Sequence, residues 1–472
     1  MNFHFPIFIS DNETVNKAFR IAYSDMVSNI FLHKDGLLEE EKTVLLAGTG
    51  YQKPWTRDAA INVWNAGGLF FPDVAKNTLL SVCRRDDSGV RVGGEYWDAV
   101  IWVTGAWYYW LYTGDDEFLR LACEISRRTL QYFEATELDE STGLFRGPAC
   151  YGDGVAAYPD LYADSGRSGI IKFREAHPEL LADKGEGLPM MALSTNCLYY
   201  NAYVLADRMA GVLGIPQIYG EKARELKQRI NRHFWLEDRG YYRYFIDPFG
   251  GCDHWEGLGA AFSILFGIAD ARQTERMLQS WPTTPQGVAC VWPSFDRYLS
   301  FGENEYGRHS GVVWPFIQSF WADAAARNGR YDLFEKEFSI IGERAVRDGH
   351  FAEIYHPISG EIYGGIQEDA CKGIRSWTSV VKQTWSATGY LRMILFDLIG
   401  MRFSEEGVAF EPHTVSGIHH MKLENLLFRG AVLSISVEGT GSSIGCVEIN
   451  GEITDRLIPQ KDKEYQILIK MR

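Results

Sequence analysis

Between residues 11 and 400, the sequence alternates regularly between helix-forming segments and loops. The spacing of apolar residues predicts about twelve helices in this stretch. They are joined alternately by short links and by long loops that are rich in aromatic residues. Paired helices with long loops at one rim predict a closed toroid of six helical hairpins, the (α/α)6 barrel. An open helical solenoid is the alternative, but it would have a repeat of roughly 34–45 residues, and the sequence has no such self-similarity.

The two ends of the chain have a different pattern. Residues 403–472 alternate between apolar and polar side chains, most clearly at residues 432–437 and 465–470, which is typical of β-strands. Residues 3–9 form one more short strand, and Pro6 favours an edge position for it. The sequence therefore predicts a strand in residues 1–10, a mainly α-helical barrel in residues 11–401, and a small antiparallel, β-sandwich-like domain in residues 402–472.

Charge and cysteine usage exclude several classes of protein. The net charge of −15 argues against binding nucleic acid, which requires a basic face, and it gives no support for binding an anionic membrane. No run of about 18 apolar residues indicates a membrane span. The eight cysteines are scattered without metal-ligand spacing, and the first residues lack a secretory signal. We therefore expect free thiols and a cytoplasmic protein, whose oligomeric state the sequence leaves open.

One loop carries a carboxylate between aromatic residues. Glu353 lies in the loop of residues 351–361, just after a predicted helix, with Tyr355 close behind it and Trp377 further along the chain. Tyr and Trp offer a flat apolar face and a polar edge, which suits stacking on a sugar ring. The sequence thus predicts a pocket for a small hydroxylated molecule, with Glu353 inside it and with Tyr355 and Trp377 as walls.

Cleavage of a glycosidic bond requires a second carboxyl group, which protonates the leaving oxygen. Burial beside apolar groups raises the pKa of such an acid and keeps it protonated. Asp153, between Tyr151 and Tyr158 in the irregular stretch 138–192, is predicted to be this acid, and Glu353 is predicted to be the base. Four other carboxylates remain open as the acid: Asp98, Glu95, Asp160 and Glu256.

Several short motifs resemble those of the six-hairpin glycosidases. Residues 51–58, which end in Trp-Thr-Arg-Asp, resemble a segment of the glucoamylases. Residues 96–102, with residues 112–115, resemble the second-hairpin region of many of these enzymes. Residues 312–315 match the usual start of the fifth hairpin.

Two further motifs resemble the catalytic regions of the same group. Residues 147–153 resemble the acid-bearing region of the barrel disaccharide phosphorylases and their hydrolase relatives. Residues 351–360 resemble the base-bearing region of the mannosyl-oligosaccharide glucosidases and trehalases. The trehalase acid motif Glu-Ser-Gly-Trp-Asp is absent.

The resemblance implies an inverting glycoside hydrolase that acts on a short α-linked glucoside or mannoside. In the relatives, the Arg and Asp of Trp-Thr-Arg-Asp bind hydroxyl groups of the sugar in the −1 subsite. The substrate-binding residues predicted in this way are Trp55, Arg57, Asp58, Trp97, Asp98, Tyr151, Trp314, Tyr355 and Trp377.

Two other functions remain open. A non-catalytic carbohydrate-binding protein on the same barrel would keep the aromatic residues without needing two opposed acids. A disaccharide phosphorylase would replace the base with a phosphate site, which Glu353 argues against. Single histidines such as His309 and His350 are expected to be structural, and we predict no metal or other cofactor.

Overall fold

The computed structural model describes residues 5–87, 89–439, 441 and 443–472. In this part of the chain, twelve helices have seven or more residues. They are α1 (Glu13–Ser28), α2 (Thr56–Asn62), α3 (Pro72–Ser81), α4 (Ile101–Thr113), α5 (Asp116–Thr136), α6 (Leu193–Val212), α7 (Gly220–Phe234), α8 (Gly257–Leu265), α9 (Ala271–Ser280), α10 (Pro315–Ala326), α11 (Tyr331–Asp348) and α12 (Thr384–Arg392). The prediction of a mainly helical chain is confirmed.

Local sequence signals set many of these helix ends. The Asn12 side chain accepts hydrogen bonds from two backbone amides at the start of α1. Asp270 and Gln273 form a reciprocal capping box at the start of α9. Gly114 and Gly349 end α4 and α11 with positive φ angles of 69° and 74°, a conformation that glycine adopts without strain.

The even-numbered helices form the inside of the helical region. In the order α2, α4, α6, α8, α10 and α12, each contacts the next, and α12 also contacts α2. The odd-numbered helices lie outside them: α1 packs on α12, α5 on α4 and α6, and α7 on α6. All twelve residues of α10 are buried, whereas only four of the fifteen residues of α7 are. This difference is expected, because a helix surrounded by protein lacks the polar face of a surface helix.

A charged pair lies inside this core. The carboxylate of Asp323 in α10 is bonded to the guanidinium of Arg392 in α12, and both side chains are fully buried. The ring of Trp64 lies 4.5 Å from that guanidinium. The pair therefore joins two neighbouring inner helices.

Shorter helical segments fill the connections. α2 and α12 continue into wider π-type turns at Val63–Gly67 and Met393–Leu398. The remaining short helices are Gly68–Phe70, Val155–Ala157, Asp160–Ala163, Ile170–Lys172, Phe173–Ala176, Pro178–Leu180 and Asp296–Leu299. Four of the strand pairs are small hairpins, namely Ile30–His33 with Lys42–Leu45, Cys83–Asp86 with Gly89–Val92, Thr283–Thr284 with Gly287–Val288, and Ile366–Asp369 with Gly373–Ser376. Within the described residues, no helix is both long enough and apolar enough to span a bilayer.

Three sheets within the described part of the chain are larger. A five-stranded sheet lies among the helices and consists of Met191–Ala192, Trp235–Leu236, Tyr241–Ile246, Cys252–Glu256 and Val291–Trp292. A three-stranded sheet follows α12 and consists of Met401–Phe403, Val408–Phe410 and Arg456–Leu457. The six-stranded sheet has the order Ile7–Ser10, His420–Phe428, Ala431–Glu438, Glu464–Met471, Ile444–Ile449 and Glu452–Ile453.

The prediction of a wholly antiparallel C-terminal β domain is wrong in one respect. Ala431–Glu438 and Glu464–Met471 pair in parallel at the centre of the six-stranded sheet. The chain crosses over between them through Ile444–Ile453, and a strand that returns after such a crossover runs in the same direction. Ile7–Ser10 completes one edge by pairing with His420–Phe428, whereas residues 1–4 of the predicted first strand lie outside the described residues.

Candidate active site

Most of the predicted site residues meet at one cavity of about 260 Å³. Of the side chains predicted from the sequence, it is lined by Trp55, Arg57, Asp58, Tyr151, Asp153, Trp314, Glu353 and Trp377. A larger groove of about 590 Å³, against residues 138–142 and 180–184, contains none of them. The cavity therefore brings together carboxylates and aromatic rings that lie up to about 320 positions apart in the sequence.

The N-terminal ends of three inner helices meet at this cavity. Trp55 directly precedes α2, whose first turn carries Arg57 and Asp58, and Trp314 directly precedes α10. Trp385 lies in the first turn of α12. Helix N-termini favour negative charge, which suits a cavity with several carboxylates.

Glu353 lies in the loop between α11 and α12 and is 3% exposed. Its backbone N–H donates to the carbonyl of Val380, and Ile354 N donates to Ser379 Oγ, so the loop is held on both sides of it. The Nη2 atom of Arg308 donates to Glu353 Oε2 at 2.5 Å.

Asp153 lines the same cavity, with a side chain that is 45% exposed. His309 Nε2 is 3.3 Å from its Oδ1 atom, and Arg57 Nη2 is 4.0 Å from its Oδ2 atom. Burial favours a higher pKa for Asp153, but the hydrogen bond to His309 and the charge of Arg57 outweigh it, and the pKa lies below its ordinary value. The expectation of a raised pKa for Asp153 is therefore wrong, because the hydrogen bond to His309 and the charge of Arg57 outweigh the effect of burial.

Arg57 and Asp58 have different surroundings although they are adjacent. Arg57 donates to the carbonyl of Cys150 at 2.9 Å and pairs with Asp98 at 3.4 Å and with Glu95 at 3.7 Å. Burial raises the pKa of Asp58 to about 7, against the opposing charge of Arg57. Arg57 is thus the common partner of several carboxylates, while Asp58 loses its proton only near neutral pH.

Three residues predicted to bind substrate do not line the cavity. Asp98 is 2% exposed and lies behind Arg57, where it pairs with the guanidinium. Trp97 is 2% exposed and packs against Gly147. Tyr355 is 1% exposed, lies under the guanidinium of Arg344, and accepts a hydrogen bond from Ala352 N. All three side chains are buried outside the cavity lining, because the side chains of neighbouring residues in a turn or strand point in different directions.

Comparison with known proteins identifies the family. The model of the mannosylglycerate hydrolase MGH1-like glycoside hydrolase domain matches residues 96–386, more than half of the chain. The chain belongs to this family. The predicted resemblance to the six-hairpin glycosidases is thereby confirmed. No curated protein matches the chain significantly in sequence.

Solved structures with a similar fold are only distantly related in sequence. A sialidase has a TM-score of 0.68 and 14% identity over 97% of this chain and 41% of its own. A GH78 family rhamnosidase of a Bacillus species has a TM-score of 0.62 and 12% identity over 99% and 44%. The GH63 mannosylglycerate hydrolase from Thermus thermophilus, in complex with glucose, has a TM-score of 0.56 and 14% identity over 79% and 99%. The chain thus spans less than half the length of the first two, and these likenesses concern the fold.

Like Asp98, the other three rival acids of this MGH1-like domain lie off the cavity lining. Glu95 pairs with Arg57, and burial raises its pKa to about 7. Asp160 is 83% exposed and pairs with Arg297. Glu256 is fully buried and accepts from Ser194 N at 3.1 Å, and burial raises its pKa to about 8.

Replacing Glu256 with glutamine is expected to flatten the pH dependence of stability. The folded chain keeps this carboxyl protonated up to about pH 8, whereas the ordinary value is 4.5. The folded state therefore binds more protons between these values, so the free energy of unfolding of the wild type falls as the pH rises through that interval. Urea unfolding at pH 5 and pH 8 measures the difference, with the exposed Glu275→Gln as the control. The same slope in wild type and Glu256→Gln would contradict this account.

The sequence alone did not assign seven of the side chains that line the cavity. They are Tyr51, Ser168, Arg308, His309, Gln367, Gln383 and Trp385. Tyr51 lies inside the motif of residues 51–58, and this position was the available signal for it. Arg308 and His309 have no comparable signal, because their importance comes from contacts with Glu353 and Asp153, 45 and 156 positions away. No group of three or more potential metal ligands was found among the described residues.

A pair of glycines offers a matched test of the cavity wall. Gly154 and Gly169 pair with each other as extended backbone, and both line the cavity. A Cβ atom on Gly154 would lie 2.2 Å from Gln367 Oε1 and 2.5 Å from His309 Cε1, whereas on Gly169 the nearest atom would be 4.0 Å away. We expect Gly154→Ala to lower kcat/KM by at least about 10-fold, since small displacements of reacting groups are costly, and Gly169→Ala to have a much smaller effect.

Steady-state kinetics of both variants test this expectation, and thermal unfolding checks that both are folded. Equal losses in the two variants would mean that the wall at Gly154 is no more sensitive to an added methyl group than the wall at Gly169.

Proposed function

We propose that this chain hydrolyses the glycosidic bond of a short α-linked glucoside or mannoside with inversion at the anomeric carbon. The observation that carries the proposal is the pair of carboxylates, Asp153 and Glu353, in one cavity, with His309 beside the first and Arg308 beside the second. Two carboxyl groups across a sugar-sized cavity are what this reaction requires.

We propose that the helices form an (α/α)6 toroid that holds this cavity. Its support is the order of contacts among the inner helices, which returns from α12 to α2. The division into a first strand in residues 1–10, a barrel in residues 11–401 and a β domain in residues 402–472 is part of the same proposal. The burial of the loop carboxylate Glu353, with Arg308 beside it, suits the rim of such a barrel.

The size of the cavity supports a small substrate. Its volume of about 260 Å³ lies below the roughly 300–1,000 Å³ of sites for drug-sized ligands. The family is named for mannosylglycerate hydrolase, and the similar Thermus enzyme was solved with glucose. We therefore propose a single hexose ring with a small leaving group, stacked against Trp55, Trp377 or Trp314.

In the proposed reaction, Glu353 takes a proton from a water molecule while the oxygen of that water attacks the anomeric carbon. Asp153 gives a proton to the glycosidic oxygen as the bond from that oxygen to the anomeric carbon breaks. The sugar leaves with inverted configuration, and the other part leaves as an alcohol. Arg57 and Asp58 bind hydroxyl groups of the sugar.

The test is a panel of α- and β-linked glucosides and mannosides with small leaving groups, including nitrophenyl glycosides. Proton NMR of the first product identifies its anomer before mutarotation. We expect hydrolysis of an α-linked substrate to release the β-anomer first. Release of the α-anomer would overturn the inverting mechanism.

The same panel separates the two alternatives. Saturable sugar binding without turnover would favour a non-catalytic carbohydrate-binding protein. Turnover that requires inorganic phosphate would favour a phosphorylase. Against the latter, Arg308, a residue suited to holding phosphate, is bonded to Glu353.

A further inference from the structure

Two adjacent residues contact the two central carboxylates separately. Arg308 Nη2 bonds to Glu353 at 2.5 Å, and His309 Nε2 lies 3.3 Å from Asp153. The turn that carries them is fixed by Arg308 N, which donates to the carbonyl of Ile366 at 2.9 Å. One short segment therefore controls the position of both carboxyl groups.

The imidazole of His309 is held firmly in the cavity wall. The residue is 3% exposed, and its ring lies 5.2 Å from that of Trp314 and 6.4 Å from that of Tyr151. Gly154 leaves just enough room for it, because a Cβ atom there would lie 2.5 Å from His309 Cε1. Among the described residues, its Nδ1 atom has no hydrogen-bond partner, so the contact with Asp153 is its polar anchor.

The surroundings of Asp153 pose a chemical problem that this contact solves. A general acid must bring a proton to the leaving oxygen, yet Asp153 lies near the guanidinium of Arg57 and accepts a hydrogen bond from His309. Such neighbours favour a carboxylate over a carboxylic acid. An imidazole, unlike a guanidinium, exchanges a proton readily near neutral pH.

We propose that His309 is a positioning residue that stores the proton which Asp153 delivers to the leaving group. This inference rests on the proposed glycosidase function. In the resting state the pair carries one proton, on the imidazole. As the glycosidic bond breaks, Nε2 gives its proton to Asp153 Oδ1, and the carboxyl group gives a proton to the glycosidic oxygen.

The protons balance over the cycle. The leaving group departs as a neutral alcohol, and the attacking water gives one proton to Glu353 and one hydroxyl group to the sugar. When Glu353 releases its proton to solvent and His309 takes one up, the starting state is restored. No oxidant or other reactant is needed.

Other charges near this pair contribute to its titration. The ionisable groups that interact with Asp153, or that lie around the same cavity, are Tyr51, Arg57, Asp58, Glu95, Asp98, Tyr151, Arg308 and Glu353. A change at His309 alone leaves all of them in place, so differences between variants report on the imidazole.

The first experiment compares His309→Gln with the wild type. The amide of glutamine still donates to Asp153 but cannot carry the proton. For substrates with an alcohol leaving group, we expect kcat to fall by at least about 10-fold, part of the usual contribution of acid–base catalysis, with little change in KM. We also expect the alkaline limb of the pH profile to move down by about one unit or more, because an isolated carboxyl group loses its proton at lower pH than an imidazole. With nitrophenyl glycosides, kcat should fall by less than about 3-fold, since a good leaving group needs little protonation.

His254→Gln is the matched control, because His254 is another partly buried histidine, stacked on Phe295 outside the cavity. It should retain wild-type rates and the wild-type profile. A His309→Gln variant with an unchanged pH profile would overturn the proposal and leave His309 with a structural role. Circular dichroism and thermal unfolding identify a variant that fails to fold.

The second experiment does not depend on activity. The ring nitrogens of ¹⁵N-histidine-labelled wild type and Asp153→Asn are followed by NMR from pH 4 to pH 9. If the two residues share a proton, the His309 ring should lose its proton at a pH lower by about one unit or more in Asp153→Asn than in the wild type. An unchanged midpoint would overturn the inference even if the chain is a glycosidase. A shifted midpoint in a chain that cleaves no glycoside would instead refute the proposed function.

Discussion

Replacing Glu353 with glutamine is expected to reduce the hydrolysis of every glycoside substrate by roughly 10²–10⁴-fold, the usual contribution of a general base. The amide has nearly the same shape but cannot accept a proton from water. Because Glu353 is bonded to Arg308 inside the cavity, the change also removes one charge of an ion pair. Sugar binding should remain, since the aromatic walls and Arg57 are untouched. Initial rates together with calorimetric titration of the sugar product measure the two effects separately.

Two further variants sharpen this test. Azide should restore turnover to Glu353→Ala, because the small anion fits the space left by the carboxylate and attacks the same face, giving a glycosyl azide of inverted configuration. Glu361→Gln, in the same loop but with a side chain that is 72% exposed, is the control and should retain full activity. If Glu353→Gln kept the wild-type rate, the base would have to be another carboxylate of the cavity.

Replacing Asp153 with asparagine is expected to have an effect of similar size that depends on the leaving group. For a natural alcohol, the rate should fall by roughly 10²–10⁴-fold, because the glycosidic oxygen then leaves without a proton. For a nitrophenolate, the loss should be much smaller. A plot of log rate against leaving-group pKa measures this difference as a steeper slope in the variant. The contrast with Glu353→Gln, which should affect all substrates alike, distinguishes the acid from the base.

The exposed Asp160 provides the control for this series. Asp160→Asn removes a carboxylate from the same loop, and its side chain, bonded to Arg297, lies outside the cavity lining. It should leave the slope unchanged. If Asp153→Asn behaved like the wild type on a natural disaccharide, the acid role would move to Asp98 or Glu95, both of which pair with Arg57.

Several parts of the fold could be predicted because their causes are local. Apolar periodicity predicts helices such as α5 and α7, and the alternating pattern of residues 432–437 predicts a strand. Two motif segments also predicted that Arg57 and Glu353 belong to one pocket. A short sequence motif was sufficient for this prediction, because the motif residues lie at the start of an inner helix or in the loop before one.

Other features depended on long-range packing. The parallel pairing of Ala431–Glu438 with Glu464–Met471 follows from a crossover that periodicity does not encode. Tyr355 and Trp97 are aromatic like the cavity rings, but they point into the core. The direction of a side chain in a loop is set by backbone contacts such as Ala352 N to Tyr355 Oη, which involve the folded chain.

The sequence by itself determined which segments form helices and strands, the family and the pair of candidate carboxylates. The tertiary structure alone decided the electrostatics of that pair. The neighbouring Tyr151 and Tyr158 in the sequence suggested a buried site and a raised pKa for Asp153. In the structure, His309 and Arg57, which are distant in the chain, hold that pKa below its ordinary value. The physical reason is that a carboxyl group responds to whichever charges and dipoles lie within a few ångströms, and folding determines which these are.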